Sequence, residues 1–572
     1  MLLSLLLSCS PPEVVAHAPA EPAPAFVQPG LPRGVHELLP GVWLMTGFAL
    51  ANVIAIDAPE GLIIVDTTEG ASSAAEALAA LRTKTDRPVA AILLSHGHPD
   101  HVFGGRVFLD ADADGPGGSL PPVWAHRDTA ARIDEVVSVV GDAIHLRSMR
   151  MFGDPLSDEE VTSPLGARLR YAPEDIALAR PTHTVDGDAT VRLAGLDVEL
   201  LHLPGETEDH LALWLPDRGL LLPGDNVYQA FPNLHTIRGT RWRDPRLWVQ
   251  SLDRMRDLDA RVLIPAHTGP LTDAAEIEQT LTAWRDAIQY VHDQSVRGIN
   301  QGQGPEELAA RVALPPHLAT HPWLAQTYGR VDWSVRAVFQ GYLGWFDGQG
   351  ATLLPVSPEE RSRRLLLAFE SGTPLPEQAQ AAFDQGDMAW AAELAAHWSR
   401  AEPDSEPARA LLAACYEALA VGQINMNARN WLRTQAAELR GEVQILPPVP
   451  ARVPDDLIEG LPIEVFMAAL GPRLRAERVL ETDLVIAFAF TDLDEHWVLH
   501  IRRGVAETRR RSAEQIEALK PGVRVRCSSQ TWKRVSTGKI SPVQAVAARE
   551  LEVDGTMEAV GGMLDWFERP AG

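Results

Sequence analysis

Between Gly34 and Pro270 the apolar positions fall into short runs broken by turn-forming residues. "GVWLMTG" (41–47), "NVIAIDAPEGLIIVDT" (52–67) and "VAAILLS" (89–95) read as strands, with a Pro-Glu-Gly turn inside the second. "GASSAAEALAALRTKT" (70–85) spaces its apolar residues as a helix does. "ATVRLAGLDVELLHLPG" (189–205) and "LALWLPDRGLLLPGD" (211–225) return to strand and hairpin patterning. Strands and helices interleaved in this way predict an α/β domain over 34–272.

Helical periodicity takes over near residue 273. "AAEIEQTLTAWRDAIQYVHDQSVRGINQG" (274–302) predicts one long amphipathic helix ending at a glycine. "VRAVFQGYLGWFDG" (335–348) predicts another, with Trp345 and Phe346 expected to pack between helices. Residues 377–420 read as helical hairpins of the tetratricopeptide kind, which need a neighbour or a second chain to bury them. An all-α region over 273–441 follows. The proline-rich "QILPPVPARVPDD" (444–456) marks its end. Residues 455–570 mix helices with strands such as "DLVIAFAFTD" (483–492), "HWVLHIRRG" (496–504) and "VRVRCSSQ" (523–530), an α+β domain without a cluster of catalytic residue types.

A chain of 572 residues is expected to divide into about three domains. Its 45% apolar and 22% charged residues are those of a globular protein. The formal net charge of −26 argues against a nucleic-acid partner. An anionic substrate must then be met locally, by a metal or a placed arginine. The three cysteines, Cys9, Cys415 and Cys527, imply no disulfide framework and no thiolate zinc site. Cys415 and Cys527 read as buried thiols. The apolar start "MLLSLLLSC" (1–9) is too short to span a bilayer. It is similar to the end of a bacterial lipoprotein signal. The expectation is an exported, periplasmic or membrane-anchored protein, tethered through a lipid on Cys9. The Pro/Ala-rich residues 10–33 would be the extended linker.

The chemistry concentrates in "AAILLSHGHPDHVFGG" (90–105). An apolar strand ends in His96, His98, Asp100 and His101. Imidazole and carboxylate donors held at a strand end suit divalent transition metals such as zinc. Four donors so close together point to two adjacent ions, with further ligands at later strand ends. Glu206 in "LPGETEDH", Asp225 in "LLLPGDN" and His267 in "VLIPAHTGP" stand in such places.

This ordered set resembles the metallo-β-lactamase superfamily: an HxHxDH loop, a PGHTxxH turn, a GD bridge and a late PAH. The resemblance implies an αββα sandwich and a binuclear site. His96 and His98 would bind one metal, Asp100, His101 and His267 the other, and Asp225 would bridge. Glu206 stands where the superfamily usually has histidine, with His210 later in the same turn and Glu208 as a competing candidate. A glutamate there resembles the alkylsulfatase branch. "FPNLHTIRG" (231–239) is similar to the branch's sulfate-contacting segment, which places Asn233 and Arg238 on the substrate anion. "YVHDQSVRGINQG" and "YLGWFDGQG" resemble its helical dimerisation domain, and "VSTGKISPVQAVAARELEVDG" its sterol-carrier-type C-terminal domain.

The implied function is hydrolysis of sulfate esters by a homodimer, with a metal-bridged hydroxide as nucleophile and Asp100, Asp225 and Arg238 as catalytic groups. The alkyl chain would lie in an apolar groove under the helical domain. Two divalent ions against Asp100, Asp225 and Glu206 leave a net charge near +1, so Arg238 carries much of the attraction for an anion. One departure bears on the substrate. The branch has histidine in a YGxVxHN-like segment, whereas this chain reads "YGRVDWSVRA" with Trp333 there. Indole cannot relay a proton at neutral pH. His183 and His235 are candidate substitutes. An aryl sulfate, a lactone or a phosphate ester is the alternative substrate, and a non-catalytic lipid-binding protein the alternative class.

Overall fold

Alternation along two sheets builds the first domain of the computed structural model, which describes residues 31–112, 120–138, 140–161, 163–170, 172–447, 452–556 and 565–568. Cys9 and the lipoprotein-like segment lie outside these residues. Seven strands pair in chain order: β1 (Gly34–Leu39), β2 (Val42–Thr46), β3 (Val53–Ala58), β4 (Gly61–Val65), β5 (Val89–Leu93), β6 (Val123–His126) and β7 (His183–Val185). The pairing is antiparallel as far as β4 and parallel beyond it. A second sheet runs β12-β11-β10-β9-β8, from β8 (Ala189–Leu193), β9 (Leu196–His202), β10 (Leu211–Leu215), β11 (Leu220–Leu222) and β12 (Val262–Leu263).

The period of two decides the layers. Val42, Leu44, Ile54, Ile56 and Leu93 face the second sheet, where Val198, Leu200, Leu213 and Leu222 meet them. The intervening Trp43, Met45, Val53 and Ile64 pack under Ala74, Ala77 and Leu81 of the helix Ala71–Leu81. On the far side of the second sheet, Leu201, Trp214 and Leu221 pack on Trp248 and Leu252 of the helix Pro245–Arg256 and on Trp284 and Ile288 of the helix Ala274–Ile299. The result is an αββα sandwich. Burial on both faces explains why the strands read as nearly unbroken apolar runs.

The long helix predicted over 274–302 spans Ala274–Ile299, and the Asp273 carboxylate at its N-cap accepts the Glu276 N–H. It shares one core with the sandwich. Four antiparallel helices, Leu375–Asp384, Met388–Ala401, Glu406–Val421 and Met426–Arg440, follow further on. The first three enclose Leu375, Ala391, Leu394 and Cys415. The last packs on the helix Gly141–Phe152 of the sandwich, where Arg150 pairs with Glu438 at 2.7 Å. The expectation for Trp345 and Phe346 is corrected. The helix Val331–Leu343 stops at Gly344, whose φ of 74° turns the chain outward, so both aromatics lie past its end. Trp345 is 74% exposed.

The C-terminal domain is a sheet of order β15-β14-β13-β16-β17, built from β13 (Asp483–Phe490), β14 (Glu495–Arg502), β15 (Val505–Arg510), β16 (Val523–Cys527) and β17 (Leu551–Gly555). Short helices cover it around Phe466, Met467, Phe488 and Trp532. Cys415 and Cys527 are both buried and free. Among the described residues no helix is long and apolar enough to cross a membrane.

Trp248 is fully buried and its indole N–H donates to the Asn226 carbonyl at 3.1 Å, beside Asp225. Trp248→Ala should cost about 3–5 kcal/mol. Thermal unfolding followed by near-UV dichroism should show the loss.

Candidate metal centre

The predicted donors sit where strands end. His96 to His101 follow β5, Glu206 follows β9, Asp225 follows β11 and His267 follows β12. Six of the seven come together as two groups. His96, His98 and Asp225 each bring a ligand atom within 4.8 Å of the others, and so do Asp100, His101 and His267. Asp225 lies between the groups. Its Oδ2 is 3.8 Å from His96 Nε2 and 3.4 Å from His101 Nε2, and its Oδ1 is 3.3 Å from His267 Nε2. Asp100 Oδ2 stands 3.5 Å from His101 Nε2 and 3.4 Å from His267 Nε2.

A further set of residues fixes the rings. His101 Nδ1 donates to Asp66 Oδ2 at 2.8 Å, and the Ser95 hydroxyl joins the same oxygen to His96 Nδ1. His267 Nδ1 donates to the Leu50 carbonyl at 2.9 Å. In His96, His101 and His267 the second nitrogen, Nε2, is thereby aimed at the group, the arrangement that orients metal-bound histidines. Asp225 is held from behind. Its N–H donates to His210 Nε2 at 3.0 Å, and Gly224 leaves room for that ring, because a Cβ there would lie 2.5 Å from His210 Cε1. Burial holds the His210 imidazole down at about 3, so it stays a neutral acceptor. His210 supports the site and does not enter either group.

Electrostatics show what the donor set lacks. Burial opposes a charge on His267, yet Asp225 and Asp100 override it and lift its pKa to about 10. The same carboxylates, with Asp66, raise His101 well above the usual imidazole range against burial. Burial and the neighbouring cations keep His96 and His98 neutral. His101 Nε2, Asp225 Oδ1 and Glu206 Oε2 are buried without a hydrogen-bond partner. Buried carboxylates that keep protons on two imidazoles, beside orphaned ligand atoms, fit a pair of divalent cations.

Glu206 is placed differently from the expectation of a free anionic donor. It is buried next to the groups but belongs to neither, and Arg243 Nη1 binds its Oε1 at 2.7 Å. Burial lifts its carboxyl to about 7, while Arg243 pulls the other way. Glu208 is exposed and paired with Arg132, which removes it as a competitor. Arg238 lines the cavity over the site together with His98, Asp100, Glu206, Asp225, His267 and Tyr328. Among the described residues its guanidinium forms no ion pair. Asn233 is fully buried, its carboxamide has no hydrogen-bond partner, and it is not part of the cavity wall.

The cavity encloses about 1100 Å³. Its apolar wall comes from the C-terminal domain, through residues such as Leu461, Phe466, Leu470, Val525 and Trp532, and from Phe103 and Phe152 of the sandwich. The helical region contributes Tyr328. The groove expected under the helical domain is therefore corrected: the covering element is the C-terminal sheet and its helices. Trp333 does not line the cavity, and Arg330 stacks over its ring at 5.3 Å. Neither candidate substitute reaches the cavity. His183 stacks on Trp124 at 4.9 Å, and His235 is half-buried elsewhere.

Asp66, Ser95, Tyr328 and Arg243 are absent from the expected site. Asp66 did carry a signal, since it follows β4, the parallel neighbour of β5. Arg243 carried none, because "TRWRDP" reads as an exposed turn. Glu69 also lines the cavity, and burial lifts its carboxyl to about 8 even though it accepts the Leu50 N–H at 3.2 Å.

Fold and donors together define a metallo-β-lactamase-type hydrolase, and residues 46–267 match the family described as the metallo-beta-lactamase superfamily. Residues 304–442 match "Alkyl sulfatase dimerisation" and 452–572 match "Alkyl sulfatase C-terminal". A linear primary-alkylsulfatase of Pseudomonas sp. is 35% identical over 90% of this chain and 98% of its own length. An (R)-specific secondary-alkylsulfatase of Pseudomonas sp. is 28% identical over 93% and 81%. The stereoselective inverting sec-alkylsulfatase Pisa1 from Pseudomonas sp. superposes with a TM-score of 0.85 at 26% identity, covering 94% of this chain and 85% of that one. The chain belongs to the alkylsulfatase family of the metallo-β-lactamase superfamily.

His101 and His267 carry protons in the metal-free site and must lose them to become ligands. Loading the apoprotein should therefore release at least two protons per pair of ions, and affinity should fall as the pH is lowered. Calorimetric titration in buffers of different ionisation enthalpy measures this release directly.

Proposed function

We propose that this chain, a sulfuric ester hydrolase by family, cleaves alkyl sulfates at a binuclear centre. The observation that carries the reading is one cavity containing ligands of both three-residue groups, an arginine without a carboxylate partner, and a long apolar wall. His96 and His98 would hold one ion and Asp100, His101 and His267 the other, with Asp225 shared and Glu206 at the His96/His98 side. Imidazole and carboxylate donors suit zinc. Bound there, two divalent ions would supply Lewis acidity and an activated water as the nucleophile.

The chain's own residues do the rest. Arg238 meets the sulfate oxygens with a planar fork. Burial and neighbouring carboxyl groups raise the Tyr328 phenol, so it remains a hydrogen-bond donor at neutral pH and faces the cavity where Trp333 does not. The alkyl chain lies against Leu461, Phe466 and Leu470 of the C-terminal domain. Such a wall excludes water from the ester and strengthens every charge interaction beside it. The exposed Tyr342, Leu343, Trp345 and Leu354, inside the stretch matching the dimerisation family, are the face we assign to a homodimer contact.

Purified protein supplied with Zn²⁺ should release inorganic sulfate from dodecyl sulfate, and a chelator should abolish turnover. Turnover of aryl sulfates, lactones or phosphate esters with no release from alkyl sulfates would overturn the reading. Val543 lines the cavity yet is 69% exposed, so Val543→Asp should fold. It should raise KM for dodecyl sulfate roughly 4-fold, the worth of about one buried methylene. KM for a short-chain ester should stay unchanged in the same assay.

A further inference from the structure

Arg243 is 4% exposed, yet its guanidinium is only partly satisfied. Nη1 donates to Glu206 Oε1 at 2.7 Å and to the Asn233 carbonyl at 2.6 Å, while Nε and Nη2 are buried without partners. Glu206 mirrors it: Oε1 is taken, Oε2 is buried and orphaned, and its N–H is held by Asn226 Oδ1 at 3.1 Å. Stranding two desolvated groups costs free energy unless something completes them. A cation on the free carboxylate oxygen would complete Glu206, the acceptor of the pair.

We propose that Arg243 is the positioning residue for the ion at His96, His98 and Asp225: it occupies one oxygen of Glu206 and so presents the other to that ion. The assignment rests on the reading of Glu206 as a ligand at that side. A histidine ligand is directed by a hydrogen bond to its second nitrogen, as Asp66 does for His101. A glutamate has no second nitrogen, and Arg243 takes over that task. The same guanidinium binds the Asn233 carbonyl, joining the ligand turn to the segment that carries Arg238.

The pairing also changes the charge of the site. Glu206 and Arg243 sum to zero. Two divalent ions against Asp100 and Asp225 then leave +2 and not the +1 counted from Glu206 alone. Arg243 thus offsets the negative charge that a glutamate brings in place of a neutral histidine.

The test is zinc stoichiometry and affinity of the full-length chain, by elemental analysis after dialysis and by competition with a chromophoric chelator. The wild type should hold two ions. Arg243→Lys keeps the charge and loses the fork, and Arg243→Gln loses both. In each, one ion should remain at wild-type affinity while the dissociation constant of the other rises about 10–100-fold. Both variants holding two ions at wild-type affinity would overturn the proposal. So would loss of both ions together with a collapsed melting transition in both variants, since a general structural role accounts for that, or a wild type that binds fewer than two ions. If the wild type binds two ions but hydrolyses no sulfate ester, the proposed function fails while the Arg243 assignment is still decided by metal binding.

Discussion

Asp225 is the carboxylate on which the centre depends. One side chain lies within 3.8 Å of His96, His101 and His267, so the two donor groups cannot be placed independently. A buried carboxylate among imidazoles is tolerable only when its position is over-determined. Here it is. His210 accepts its N–H, Gly224 makes space for His210, and the neighbouring Asn226 is tied to Leu203, Glu206 and Trp248. The layers of the sandwich serve this end: β9 and β11 bring their terminal loops together, and Trp248 locks them from the helical side.

The catalytic-domain architecture was legible because its signals are local. Alternating apolar residues identify strands facing two ways, and a loop with three imidazoles after a strand can hardly be anything but a site. The family resemblance added the later donors and their grouping. What escaped depended on contacts between distant segments. Arg243 is 37 positions from Glu206 and its burial is invisible in "TRWRDP". Most of the apolar wall lies far beyond the last predicted ligand, from Leu461 onward, in a domain whose own pattern shows no catalytic chemistry. Trp345 was misplaced for a smaller reason: aromatic content suggested a core, but Gly344 ends the helix one residue too early for it to turn inward.

The cavity divides labour between domains. The sandwich supplies the two candidate donor groups and Arg238, carried on loops anchored at strand ends. The C-terminal domain supplies surface, where shape and dryness matter and individual contacts do not. The histidine that the resemblance led us to expect is replaced by an indole that never reaches the chamber, and Tyr328, five positions earlier, faces it instead.

Trp284 and Ile288 of the long helix share a core with Trp214 of the second sheet and with Trp248. Mechanically, then, the change in composition near residue 273 is not a seam. Removing the long helix would strip Trp284 and Ile288 from Trp214 and Trp248 and open the floor of the sandwich to water.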